Sequence, residues 1–107
     1  MAEVIWSDPA LADLDAIADY IALENPAAAK KLVGRVFEHV DQLEAHPDSG
    51  SKPQEFDGWR YRQLIEPPCR IIYRHDKVHG RVYILHVMRS EKRLRRSKLV
   101  RDWSAES

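Results

Sequence analysis

Arginines recur at short, even spacings in the second half of the chain, and they are the residues best suited to chemistry. Arg60 and Arg62 lie two positions apart, and Arg70 and Arg74 lie four apart, in segments whose composition predicts β-strands. Residues an even number of positions apart on one strand point to the same face. The pattern therefore predicts a sheet face that carries a row of arginines.

A row of guanidinium groups suits a polyanionic partner. Guanidinium stays protonated in proteins and binds phosphate through paired hydrogen bonds, but clustered arginines repel one another unless anions offset them. The net charge is zero, yet residues 1–57 hold 4 Lys/Arg against 12 Asp/Glu and residues 58–107 hold 13 against 5. Two interpretations stay open: a basic face free for a phosphate-rich partner, or arginines that pair with the acidic half or with water.

Aromatic residues alternate with the first two arginines. Trp59 and Tyr61 have the opposite parity, so we expect them to pack in the core beneath the helices, with nucleobase stacking as the alternative. Tyr73 and Tyr83 leave the same two alternatives open.

Other catalytic patterns are missing from the sequence. No histidine has a spacing with cysteine or carboxylates that fits a metal site, so neither a metal nor a cofactor is predicted. His86 lies in a predicted strand, where a buried structural role is expected rather than acid–base catalysis. Asp13, Asp15 and Asp19 have the spacing of solvent-facing helical residues. The lone Cys69 cannot form an internal disulfide, which indicates a reducing compartment and hence the cytoplasm.

Two amphipathic helices are predicted in the first half. Glu3–Trp6 favours a strand, and Asp8 followed by Pro9 predicts an N-cap and the first helical position. Apolar residues at three- and four-residue steps extend this helix to about Glu24. Asn25 and Pro26 repeat the start signal for a second helix that ends near His46, so the two helices should form a hairpin.

Three strands and a basic helix are predicted after a loop around Pro47–Pro53. The strands, Trp59–Ile65, Cys69–Arg74 and Arg81–Met88, should form an antiparallel meander. Ser90 is the predicted cap of a helix over residues 91–101. The expected fold is a small α+β domain, β-α-α-β-β-β-α, with the helix hairpin on one face of an antiparallel sheet.

Length and hydropathy limit the classes of protein to which the chain can belong. A chain of 107 residues is predicted to be one domain, residues 1–107, with 44% hydrophobic residues to build its core. Its apolar runs span only a few residues, and the start Met1-Ala2-Glu3 lacks the features of a signal peptide, so neither a membrane span nor export is expected.

Several segments together resemble a known protein family. These are the start Val4–Trp6, the helix Leu11–Ile21, the following Asn25–Ala29, the turn Leu43–Gly50, the strand Cys69–Arg74, and Val82–Val87 with Arg89. Their order and spacing are similar to those of the RelE/ParE superfamily of toxins from bacterial type II toxin–antitoxin systems. The resemblance implies a growth-inhibiting toxin, neutralised by a co-encoded antitoxin protein in a hetero-oligomer.

The resemblance implies two routes of toxicity. In RelE-type members the toxin cuts mRNA on the ribosome with basic strand residues; Arg60 and Arg62 stand where that branch has paired lysines, Arg70 matches its strand arginine, and Arg89 lies near a later one. Arginine at position 60 is a poor proton acceptor, and no Tyr or His follows Arg89, so this apparatus is incomplete.

ParE-type members, which act on DNA gyrase without being nucleases, have the long helix hairpin predicted here, and the interpretation leans to them. On either route Arg74, Arg93, Arg95 and Arg96 are further candidate contacts. A third alternative is a degenerate member that only binds its antitoxin.

Overall fold

The computed structural model describes residues 1–55 and 60–99. In this part of the chain the elements follow the expected order: β1 (Glu3–Trp6), α1 (Asp8–Ala22), α2 (Pro26–Asp41), a 3-10 turn (Gln42–Glu44), β2 (Tyr61–Glu66), β3 (Cys69–Asp76), β4 (Arg81–Arg89) and α3 (Arg96–Leu99). Trp59, predicted at the start of the first meander strand, and residues 100–101 of the predicted last helix lie outside the described residues. None of the described helices is long and apolar enough to span a membrane.

Side-chain caps fix where the two long helices begin. Ser7, not the predicted Asp8, is the N-cap of α1: its Oγ accepts a hydrogen bond from the amide of Ala10 at 3.2 Å. Asp8 is instead the first helical residue, where its negative charge interacts favourably with the positive end of the helix dipole. Asn25 caps α2 as expected, with Oδ1 accepting from the Ala28 amide at 3.1 Å.

The sheet has the strand order β1-β4-β3-β2. The predicted antiparallel meander of β2, β3 and β4 is confirmed, whereas β1 lies parallel to β4, which makes the sheet mixed rather than wholly antiparallel. A parallel pair needs a crossover of a dozen or more residues, and the helix hairpin that follows β1 begins that connection. A β-bulge shifts the register between β3 and β4 after Ile72.

The helix hairpin covers one face of the sheet, called here the hairpin face. Leu14, Leu32 and Val36 of the helices are at most 2% exposed and pack with Ile71 and Ile84 of the sheet. The other face, called here the open face, holds a smaller apolar cluster. That cluster joins sheet residues to two residues of the C-terminal part of the chain: Ile72, Tyr83, Leu85, Met88, Leu94 and Leu99.

Gly50 closes the loop between the helices and β2 against the hairpin face. Its amide donates a hydrogen bond to the hydroxyl of the fully buried Tyr73 at 2.9 Å. A Cβ atom at this position would lie 2.6 Å from the carbonyl oxygen of Gln63 and 2.7 Å from the Tyr73 hydroxyl. Only glycine allows this close approach. The Tyr73 hydroxyl is thereby covered, and its burial raises the pKa of Tyr73.

The C-terminal segment differs from the predicted helix. Residues 90–95 form a turn and an irregular stretch, and the helix begins only at Arg96, so Ser90 is not its cap. The Ser90 amide instead donates to the carbonyl of Pro68 at 2.8 Å. Few apolar positions in this segment can drive a regular helix against the sheet. Among its described residues, the buried leucines Leu94 and Leu99 are five residues apart.

Candidate functional site

The predicted row of arginines does not share one face of the sheet. Arg62 lies opposite Tyr73 and therefore on the hairpin face, whereas Arg70 lies opposite Ile65 and Arg74 opposite Tyr61 on the open face. In this antiparallel register every even position of β2 faces an odd position of β3. Even numbering on both strands therefore puts their arginines on opposite faces, and the prediction of a common face is wrong.

The tyrosine of β2 follows the same parity. Tyr61 was expected beneath the helices with the core, but it packs against the apolar cluster of the open face. Tyr73 is a core residue of the hairpin face, and Tyr83 lies on the open face, where the Arg74 guanidinium carbon is 4.9 Å from its ring centroid. Arg74 is 8% exposed, so this stacking is largely shielded from water.

Two candidate arginines lie at the margins of the sheet. Arg60 precedes β2, with its guanidinium carbon 5.9 Å from the Tyr61 ring centroid. Arg62 donates from Nη1 to the carbonyl oxygen of Gly50 at 2.8 Å, and its Nε lies 3.6 Å from an Asp48 carboxylate oxygen. Arg62 therefore braces the loop that carries Gly50.

Arg89, at the end of β4, lies opposite Cys69 and hence on the hairpin face. Its Nε donates to Glu91 at 3.1 Å, and its guanidinium carbon lies 5.9 Å from the ring centroid of Tyr20 on α1. Tyr20 is 69% exposed, so Arg89 joins the end of the sheet to one exposed aromatic ring on α1.

Arg70 is the centre of a buried polar network on the open face. Its side chain is only 8% exposed, and it forms a bidentate ion pair with Glu55, with Nη1 to Oε1 at 3.1 Å and Nη2 to Oε2 at 2.7 Å. Nη1 also donates to Gln63 Oε1 at 3.0 Å, and Nη2 donates to the carbonyl oxygen of Lys92 at 2.9 Å. The guanidinium is thus bound on several sides by the protein itself.

Glu55 extends this network to the C-terminal segment. Oε2 accepts a further hydrogen bond, from the amide of Leu94 at 2.9 Å. The hydrogen bonds from Arg70, followed by the one from Leu94, lower the pKa of Glu55 from its ordinary 4.5 to about 2, against the opposing effect of burial. The carboxylate therefore stays ionised throughout the physiological pH range. We call Arg70, Glu55, Gln63 and their two backbone partners the clamp.

A cluster of exposed cations lies beyond the clamp, on residues 89–99, called here the basic segment. Lys92, Arg93, Arg95 and Arg96 are exposed, whereas Leu94 is buried between them. The segment therefore presents positive charge outward while its leucines hold it on the sheet. Arg93, Arg95 and Arg96, predicted as contact residues, are all on this surface.

Two grooves flank the basic segment, and Lys92 and Arg93 line both. The first groove, about 590 Å³, has the clamp at its floor; its lining residues are Gln54, Glu55, Gln63, Ile65, Arg70 and Ser90–Arg93. The second groove, about 340 Å³, lies between α1 and the basic segment; it is lined by Asp13, Ala16, Ile17, His86–Arg89, Lys92, Arg93, Arg95 and Lys98. Both grooves offer cationic side chains beside recessed carboxylates.

A histidine–aspartate pair lies at the floor of the second groove. His86 is 7% exposed, as expected for a structural histidine, and its Nδ1 lies 2.5 Å from Asp13 Oδ2. The same carboxylate oxygen accepts from the amide of Val87 at 3.2 Å. The prediction that Asp13 faces solvent is wrong, because it fastens α1 to β4 beside the bulge, while Asp15 and Asp19 are exposed as predicted.

The fold is the small α+β domain that the sequence predicts, and comparison with known proteins identifies the family. The family model described as "ParE toxin of type II toxin-antitoxin system, parDE" matches residues 4–94. The chain is 34% identical to "Toxin RelE2" of Caulobacter vibrioides over 87 residues, which are 81% of this chain and 93% of the relative. It belongs to the ParE toxin family, within the RelE/ParE superfamily that its sequence resembles.

Solved structures give the same result. A chromosomal ParDE toxin–antitoxin system from P. aeruginosa contains a chain that aligns with a TM-score of 0.69 and 31% identity, covering 85% of this chain and 98% of that one. A chain of the RelBE2 toxin–antitoxin complex from Mycobacterium tuberculosis aligns with a TM-score of 0.56 at 23% identity, covering 82% and 96%, and this similarity concerns the fold.

Sequence reasoning missed the acidic and amide partners of the site. The sequence pattern does not mark Glu55 or Gln63 as site residues, and it predicts that Asp13 faces solvent. The signal available for Glu55 was only the electrostatic requirement that clustered arginines need anions nearby. Its distance in sequence from Arg70, 15 residues, and from Leu94, 39 residues, gives no local pattern from which the clamp could be found.

Proposed function

We propose that this protein is a growth-inhibiting toxin that acts on DNA gyrase in the cytoplasm and is neutralised by an antitoxin with which it forms a hetero-oligomer. Membership of the ParE family and likeness to a chain of the P. aeruginosa ParDE system support this function. The surface offered to the target is the basic segment with the adjoining end of α1.

The state of Arg70 is the observation that carries the proposal. A metal-independent ribonuclease needs cationic groups open to the scissile phosphate and a group that accepts a proton from the 2′-hydroxyl. Arg70 is buried, and its two Nη groups bind Glu55, Gln63 and the Lys92 carbonyl. It therefore acts as a structural ion pair in this fold, and the exposed cations suit contact with a macromolecular surface rather than grip on a single phosphate.

A ribosome-dependent mRNA endonuclease is the second candidate. The observation in its favour is the second groove, which His86 lines together with Arg89 and Lys92. Histidine can exchange protons near neutral pH, and neighbouring cations can hold a phosphate. The name of the Caulobacter relative, "Toxin RelE2", points to the same candidate.

Assays with purified gyrase and in cells distinguish the two candidates. We expect the protein to inhibit supercoiling by DNA gyrase and, when induced in cells, to cause gyrase-dependent DNA breaks and the SOS response. Mapping of mRNA ends on ribosomes should show no codon-positioned cuts. Such cuts in the absence of DNA damage would exclude gyrase as the target and favour the endonuclease.

A matched pair of variants tests the proposed surface. Replacing Arg93 and Arg95 by Gln removes two exposed charges from the basic segment. Replacing Lys77 and Arg81 by Gln removes two exposed charges at the turn between β3 and β4 and at the start of β4. We expect only the first double variant to lose gyrase inhibition, by about tenfold or more, since rim charges act on association as well as on affinity. Equal inhibition by both variants would place the target surface elsewhere.

A further inference from the structure

Glu55 connects three parts of the chain that are remote in sequence. It lies in the connection between the helices and β2, its side chain is 12% exposed, and its partners are Arg70 on β3 and Leu94 in the basic segment. Both carboxylate oxygens accept hydrogen bonds, and Oε2 accepts two. A carboxylate in this position joins the sheet to the segment that covers its open face.

The part of the basic segment that carries Lys92 to Arg95 has no regular secondary structure to hold it. No helix or strand includes residues 90–95, so no regular ladder holds their backbone groups. Local turn contacts are present: the Lys92 amide donates to the Arg89 carbonyl at 3.1 Å, and the Arg95 carbonyl accepts from the Lys98 amide at 3.0 Å. The clamp binds this stretch twice, through the carbonyl of Lys92 and the amide of Leu94. The buried side chain of Leu94 adds an apolar contact beside these two polar anchors.

The charge of Glu55 matters as much as its hydrogen bonds. Arg70 lies beneath exposed Lys92 and Arg93, so an unpaired guanidinium there would repel the segment above it. Because Glu55 neutralises Arg70, the guanidinium can bind the Lys92 carbonyl without adding to the positive charge of the surface. Removing the carboxylate would both break the contact with Leu94 and expose the segment to this repulsion.

We infer that Glu55 is a positioning residue: its carboxylate fastens the basic segment to the sheet and thereby fixes the arrangement of the cations that meet the target. This inference rests on the proposed function, in which the basic segment is the contact surface. Glu55 itself touches no target. Its effect is transmitted through Arg70 and the backbone of residues 92–94.

Limited trypsin digestion of the full chain tests this role directly, because trypsin cuts after lysine and arginine. In Glu55→Gln we expect cleavage after Arg93 and Arg95 to become roughly tenfold faster, as loss of a hydrogen bond to a charged group shifts a local opening equilibrium by about that factor or more. Cleavage after Lys30 and Lys31 of α2 should stay unchanged and serves as the internal reference.

Two further variants complete the digestion experiment. Glu38→Gln removes the same charge from an exposed position of α2 and should cleave like the wild type. Glu55→Asp keeps the charge but shortens the side chain, so its cleavage rate should lie between those of wild type and Glu55→Gln. An unchanged rate in Glu55→Gln, or an equal rise after Lys30 and Lys31, would overturn the inference, since the second result means general destabilisation.

Hydrogen exchange of the wild-type protein provides a test that needs no folded variant. The Leu94 amide donates to Glu55, so its exchange should be at least about tenfold slower than that of an unprotected amide. Exchange of Leu94 at the unprotected rate would overturn the role of Glu55 even if Glu55→Gln failed to fold.

Gyrase inhibition then links positioning to function. Glu55→Gln should inhibit about tenfold less than wild type while Glu38→Gln inhibits normally, and Glu55→Asp should recover part of the loss. Equal inhibition by wild type and Glu55→Gln would overturn the inference. If the wild type itself leaves gyrase active, the proposed target is wrong, whereas the digestion and exchange results still decide whether Glu55 holds the basic segment.

Discussion

The two faces of the sheet are covered in different ways. On the hairpin face, α1 and α2 bury a continuous apolar cluster whose members are mostly inaccessible to water. On the open face, the irregular stretch 90–95 and α3 contribute one buried leucine each, Leu94 and Leu99, and the clamp adds charge-assisted hydrogen bonds to the backbone of residues 92 and 94. The regular helices are held mainly by apolar packing, with a polar link from Asp13 to β4, whereas the irregular stretch 90–95 depends more on buried polar contacts because no helix or strand holds its backbone.

The two faces therefore have different roles: the hairpin face stabilises the fold, and the open face carries the exposed cations. Hydrophobic burial on the hairpin face holds the fold, and its energy is spread over many contacts. Among the residues that the structure describes, the open face buries fewer apolar side chains and is attached largely through a few charge-assisted hydrogen bonds, so it should open at lower free energy than the hairpin core. A surface that carries exposed cations is thus fixed by contacts that single substitutions can remove.

The largest expected effect comes from making the same substitution on the two faces. Leu32 and Leu94 are each 2% exposed. Leu32→Ala should lower the free energy of unfolding by about 4 kcal/mol and Leu94→Ala by about 2 kcal/mol, because a cavity beneath a rigid helix relaxes less than one beneath an irregular segment. Urea denaturation measures both values. Equal losses would show that the two covers are equally rigid.

Breaking the clamp should cost nearly as much as a core cavity. Arg70→Met leaves the Glu55 carboxylate buried without its ion pair, and we expect a loss of about 3 kcal/mol. The double variant Arg70→Met, Glu55→Gln removes both charges and should be less destabilised than the sum of the two single variants. Additive losses in urea denaturation would contradict the ion pair as the source of stability.

A smaller effect is expected where the hairpin is joined to β4. Asp13→Ala removes the acceptor for His86 Nδ1 and for the Val87 amide, and unsatisfied buried donors should cost about 2 kcal/mol. Asp15→Ala, on the exposed side of the same helix, should change stability by less than about 0.5 kcal/mol. Similar changes in the free energy of unfolding for the two variants would show that Asp13 contributes no more than a solvent-facing residue, as its spacing predicts.

Acid should weaken the open face through Glu55. Since its pKa falls from 4.5 to about 2 on folding, the carboxylate contributes stability that is fully present above the unfolded value and is lost as the pH falls toward 2. The stability difference between wild type and Glu55→Gln should therefore shrink between about pH 5 and pH 2. Urea denaturation over a pH series measures it. A difference independent of pH would mean that the Glu55 charge is not involved.

The smallest effect on stability is expected on the outer surface of the basic segment. Arg95 is exposed, so Arg95→Gln should change the free energy of unfolding by less than about 0.5 kcal/mol. Urea denaturation checks this value, with Arg81→Gln as a control of equal charge on the turn side of the sheet. A loss near that of Arg70→Met would show that the outer cations also hold the cover in place.

Much of the fold could be predicted from local signals. Asn25 and Pro26 fix the start of α2 because a cap and a fixed φ act within one helical turn. Apolar residues at helical spacing likewise identified the hairpin, and the turn residues between apolar runs identified the antiparallel meander. Ser7 was missed as the cap of α1 because Ser7 and Asp8 are adjacent and both can cap, so the choice depends on where the chain leaves the sheet.

The candidate site depended on tertiary structure. The sequence by itself determined the arginines, their charge and the tendency of their segments to form strands, since these are properties of residues and near neighbours. Only the tertiary structure decided which face each arginine occupies, because strand parity has no meaning until the register pairs Arg62 with Tyr73 and Arg70 with Ile65. It also decided that Arg70 binds Glu55, because a contact across 15 residues is set by packing of the whole chain.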